Sequence, residues 1–126
     1  MTNSRAKGAR NELGASAALA NLGMQGVRRA VQYSGRTGQA DLVAPGKVHI
    51  EVKSRDSIAC MRWMDRAVEE ASMTDAHIVL LMMREDRGEW CYMVRQEDAL
   101  RFARWMLLYA RDPDAKAEIR PDLQGP

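Results

Sequence analysis

Apolar residues recur at helical spacing in three stretches of the chain, and at strand spacing or in short runs between them. In residues 5–22, Ala9, Leu13, Ala17, Ala20 and Met24 follow one another at three- to four-residue steps among strong helix formers. Gly23 is placed to end that helix, and Glu12 lies on the flank of its apolar stripe. Val27 to Tyr33 reads as a strand, and Ser34-Gly35-Arg36-Thr37-Gly38 as a flexible polar loop. Residues 40–44 and 47–53 read as two strands joined by the turn dipeptide Pro45-Gly46. The second alternates: Val48, Ile50 and Val52 point one way, His49, Glu51 and Lys53 the other. Residues 61–73 predict a helix with Met61, Met64, Ala67, Val68 and Ala71 on its core face, leaving Glu69 and Glu70 largely outside it. Ile78 to Met83 suits a central strand buried on both faces, and Trp90 to Val94 a short strand after the Asp86-Arg87-Gly88 turn. Residues 97–109 predict a last helix, with Ala99, Leu100, Ala103, Met106 and Leu107 toward the core. The order αβββαββα implies an α/β fold, a single mixed five-stranded sheet flanked by helices.

Composition sets the scale. The chain has 126 residues, 46% of them hydrophobic, enough for one core and one domain over residues 1–110. Residues 111–126, rich in proline and alternating charge, read as a loose tail. No apolar run approaches the ~20 residues of a membrane span, and no secretory pattern opens the chain. Cys60 and Cys91 read as reduced thiols, which fits a cytoplasmic protein. Net charge is only +2, but six basic residues and one acid precede Asp41. That basic third suits phosphates, although on charge alone a solvated helix face with a charged loop is the simpler account.

The candidate chemistry centres on Asp41, Glu51 and Lys53. Glu51 and Lys53 share a strand face, which on that pair alone is better explained as an amphipathic strand with solvated charges, and Asp41 on the preceding strand can stand beside Glu51. Two converging carboxylates repel unless a cation lies between them, and hard oxygen ligands suit Mg²⁺. Such a metal activates water and neutralises a scissile phosphate. Lys53 would add a positive charge at the reacting centre, and Glu12 a further carboxylate. Strand parity imposes a condition. A two-residue Pro45-Gly46 turn would put Asp41 opposite Ile50 and on the wrong face. A shared site demands one extra residue, either a three-residue turn Pro45-Gly46-Lys47 or a bulge.

Lys7-Gly8, Glu12, Arg29, Ser34-Gly35, Asp41 and Glu51-Val52-Lys53-Ser54-Arg55 occur in an order that resembles the PD-(D/E)XK nuclease superfamily. Within it, the chain is most similar to archaeal-type Holliday junction resolvases and their phage-borne relatives, over roughly residues 5–110. The proline that names the motif is replaced by Ala40. The resemblance implies a restriction-endonuclease-like fold, a homodimer, and Mg²⁺ as cofactor with Mn²⁺ as a substitute. It places the catalytic residues at Glu12, Asp41, Glu51 and Lys53, with Val52 adding its backbone carbonyl to the metal. Ser34 matches a loop serine near the cut. Arg5, Lys7, Arg10, Arg28, Arg29, Arg36 and Arg55 are the expected phosphate contacts. The expected activity is metal-dependent endonucleolytic cleavage of DNA at four-way junctions. Flaps, nicks or plain duplex as substrate, and a catalytically inactive DNA-binding module, remain alternatives. His49, His77, Cys60 and Cys91 offer a weaker zinc reading, since no two have structural-zinc spacing. Trp63 and Trp105 fall outside the predicted core stripes, which suits a partner surface or packing against the tail.

Overall fold

The computed structural model describes residues 4–30 and 40–110. Its elements are α1 (Ser4–Asn21), β1 (Arg28–Arg29), β2 (Leu42–Val43), β3 (Val48–Arg55), α2 (Cys60–Ala71), β4 (Ile78–Glu85), β5 (Cys91–Met93) and α3 (Ala99–Tyr109). They form one open, mixed five-stranded sheet in the order β1-β2-β3-β4-β5 with three helices, so the predicted αβββαββα order is observed. The β3–β4 pair is parallel, joined through α2, and the other three pairs are antiparallel. The expected strand at 27–33 is described only as Arg28–Arg29, and residues 31–39 and the 111–126 tail lie outside the described residues. No helix among the described residues is long and apolar enough to cross a membrane.

The alternation of β3 divides the interior in two. Val48, Ile50 and Val52 join Ile78, Leu80 and Met82 of β4 against Ala15 and Leu19 of α1 and Trp105 of α3. Val79 and Leu81 face the opposite side and meet Met64, Ala67 and Ala71 of α2. His49, Glu51 and Lys53 share that second face by parity, so polar groups are carried under α2 beside an apolar cluster.

Two helices are rotated from expectation. On α1, Glu12, Ala15 and Leu19 are buried, while Leu13 is 58% exposed. Alanine occupies so many positions of this helix that apolar spacing does not select a face. Glu12 therefore lies in the buried stripe rather than on its flank. On α3, Leu100 and Leu107 are exposed, and Trp105 is buried with Phe102, Met106 and Tyr109 packed beside it. A 3-10 turn at Gln96–Asp98 leads into α3, and the buried Asp98 carboxylate accepts the Val79 N–H at 3.1 Å. The Trp105 indole N–H donates to Pro45 O at 2.7 Å. These two anchors set the phase of α3. Neither tryptophan forms an exposed surface: Trp105 is core, and Trp63 packs against the α2 cluster.

Candidate metal centre

The register of the β2–β3 hairpin decides whether Asp41 and Glu51 can meet. Leu42 pairs with Ile50, which puts Ala44 opposite Val48 and leaves Pro45-Gly46-Lys47 as a three-residue turn. This is one of the two arrangements that parity demanded. Gly46 (φ 92°) and Lys47 (φ 56°) both adopt left-handed backbone. A Cβ on Gly46 would lie 2.8 Å from Trp105 Cδ1, so the turn is closed against α3 and requires glycine.

Asp41 sits at the point where β2 gives out. Its N–H donates to Ile50 O at 2.9 Å, and its carbonyl accepts the Ala30 N–H at 3.0 Å. Its Oδ2 accepts the Val52 N–H at 2.8 Å, replacing a main-chain acceptor on that edge of β3. Thus β1, β2 and β3 all hold Asp41 in place. Its carboxylate is a hydrogen-bonding and electrostatic neighbour of both Glu12 and Glu51. Glu70, from α2, is likewise a hydrogen-bonding and electrostatic neighbour of Glu51.

The result is a run of four acidic side chains, Glu12, Asp41, Glu51 and Glu70. Arg29 Nε donates to Glu12 Oε2 at 2.7 Å at one end, and Arg66 Nε to Glu70 Oε1 at 3.2 Å at the other. Burial raises the pKa of Glu12, an effect that Arg29 opposes and Asp41 reinforces. Glu51, in the middle and 8% exposed, is pushed up to about 10 by burial first and by Asp41 and Glu70 next. His49 Nε2 lies 3.0 Å from Glu51 Oε1, but burial lowers the imidazole's pKa, so it stays neutral at neutral pH. Glu51 must therefore hold a proton or share a cation.

No family model, curated protein or solved structure matches this chain.

The geometry of the site fits a metal. His49, Glu51 and Glu70 each offer one ligand atom, all within 4.8 Å of one another. Among the described residues this is the one group of three or more such side chains so placed, so His77, Cys60 and Cys91 build no zinc site with His49. Both cysteines are free. Of the residues picked from sequence, Glu12, Asp41 and Glu51 come together. Val52 contributes its N–H to Asp41, and Lys53 lies half-buried on the Glu51 face of β3.

The expected phosphate contacts divide. Arg10 and Arg28 are exposed, whereas Arg29 is committed to Glu12. Lys7 reaches Asp86 at 3.3 Å, Arg55 donates to Ser54 O, and Arg5 lies in the first turn of α1. Ser34 and Arg36 fall outside the described residues.

Sequence reasoning missed two members. His49 shares a face with Glu51 by simple alternation, a signal present but assigned to a cysteine-containing set. Glu70 was placed outside the α2 stripe, although it follows Ala67 by three residues and directly precedes Ala71, both buried.

Proposed function

We propose that this chain is a metal-dependent DNA endonuclease with a restriction-endonuclease-like core, acting on branched DNA of the four-way-junction type. The observation that carries the reading is the convergence of Asp41 and Glu51, with Glu12 behind Asp41, at the one edge of β3 where β2 ends. A residue's N–H and C=O leave a strand on the same edge. The Val52 carbonyl therefore shares the edge on which Asp41 holds the Val52 N–H. Asp41, Glu51 and that carbonyl form an all-oxygen set suited to Mg²⁺, with Glu12 as a further carboxylate. A bound Mg²⁺ would supply charge neutralisation at the phosphate and a more acidic water.

The chain's own residues supply the rest. Arg29 holds the Glu12 carboxyl and opposes the protonation that burial and Asp41 favour there, and Asp41 is fixed by three hydrogen bonds to backbone groups. Lys53, two residues beyond Glu51, presents an ammonium on the same strand face and would stabilise charge developing on the phosphate. Exposed Arg10 and Arg28 would hold the backbone without reading bases, so selectivity would come from DNA shape. The test is the purified chain with Mg²⁺ on a four-way junction, a flap and a linear duplex in parallel, with Asp41→Asn as control. Metal-dependent cleavage that Asp41→Asn abolishes supports the reading. Cleavage that survives Asp41→Asn overturns the site, and no cleavage of any substrate overturns the activity.

A further inference from the structure

We propose that His49, Glu51 and Glu70 form a second cation position, distinct from the all-oxygen set around Asp41, which selects a divalent first-row transition metal of the Mn²⁺ class. The inference deepens the endonuclease reading but concerns a different set of ligands.

His49 is 98% withdrawn from solvent (2% exposed) and its Nε2 is aimed into the cluster. Its one hydrogen-bond partner among the described residues is Glu51, itself a member of the set. The 3.0 Å between Nε2 and Glu51 Oε1 is the separation of adjacent ligands around a metal with ~2.1 Å bonds. Glu70 closes the group from α2, and its side chain remains a quarter exposed, which leaves an approach from solvent. The ligand chemistry differs between the two sets that share Glu51. Toward Asp41 all donors are oxygen, which Mg²⁺ prefers. In the set with Glu70 one donor is the His49 imidazole nitrogen, which favours transition metals over Mg²⁺. Glu51 has two carboxylate oxygens and neighbours members of both sets, so it can serve both, as a bridging carboxylate does in two-metal sites.

The experiment uses Mn²⁺ alone with the full chain, without DNA. Bound Mn²⁺ is expected to show imidazole-nitrogen modulation in its electron spin echo. That signal should persist in Asp41→Asn and disappear in His49→Gln. Glu70→Gln, a change on a partly exposed helix face that leaves the core intact, should weaken Mn²⁺ binding at this position by ~10-fold or more, since even an outer-shell partner is worth that much. Absence of the nitrogen signal in the unmodified chain overturns the proposal. Its loss in Asp41→Asn, or unchanged Mn²⁺ affinity in Glu70→Gln, overturns it equally. These readouts need no catalysis, so they stand apart from the Mg²⁺ cleavage assay that tests the endonuclease reading.

Discussion

Replacing Glu51 by glutamine should make the metal-free protein more stable at neutral and alkaline pH. Glu51 has a folded-state pKa near 10 against 4.5 for the free side chain. A group whose folded pKa is raised binds its proton more tightly in the folded state. Its stabilising effect is complete below the unfolded pKa and is lost as pH climbs toward the folded one. Each pH unit inside that window costs ~1.4 kcal/mol. His49 acts in the opposite sense, because its folded pKa is lowered from 6.5, but above that pH it is neutral in both states. Glu12 is raised as well and adds a slope of the same sign, present in both proteins. The difference between wild type and Glu51→Gln from pH 6.5 to 8.5 therefore isolates Glu51 and amounts to at most ~3 kcal/mol. That is a large share of the ~5–15 kcal/mol that holds a domain together. Urea unfolding in EDTA at pH 6.5, 7.5 and 8.5 measures it. Wild type should lose stability across the series while Glu51→Gln stays nearly level. Saturating Mn²⁺ should reverse the order, stabilising wild type and doing little for the variant. Parallel pH profiles for the two proteins in EDTA would refute the reasoning, because Glu51 would then carry no buried proton.

Asp41→Asn should abolish cleavage yet keep the fold, since the amide oxygen can still accept the Val52 N–H, and DNA binding measured by mobility shift should persist. Asp41→Ala frees that N–H and should cost ~1–3 kcal/mol in chemical denaturation, unlike the asparagine variant. Gly46→Ala meets both a φ of 92° and the Trp105 ring at 2.8 Å; thermal unfolding should show a loss of ~2 kcal/mol or more, and a neutral result would mean the turn is not clamped. Arg28→Ala should lower the slope of log DNA affinity against log salt by ~1. Arg29→Ala removes the partner of a buried carboxylate and should instead reduce stability as pH rises through and above the range in which Glu12 ionises, which a pH series of melting curves would detect.

Much of this arrangement is legible locally. Strand alternation has a period of two and no ambiguity of phase, so the face shared by His49, Glu51 and Lys53 follows from the residues alone. The demand for an extra residue in the hairpin follows from the same parity, and the three-residue turn at Pro45-Gly46-Lys47 meets it. Pairing Asp41 with Glu51 needed only that register. The element order was legible too, because each apolar run is bounded by its own turn residues.

Tertiary structure decided what local periodicity leaves degenerate. An alanine-rich α1 can present several faces, and it turned Glu12 inward where Arg29 and Asp41 receive it. The leucines of α3 suggest a core stripe, but two distant bonds, Asp98 to Val79 and Trp105 to Pro45, rotate Trp105 in and leave Leu100 and Leu107 out. Glu70 joins the carboxylates because the β3–α2–β4 crossover lays α2 over the Glu51 face. A strand's side-chain direction is set by its own backbone. A helix's buried face is set by whatever packs against it, and those partners lie tens of residues away in the chain.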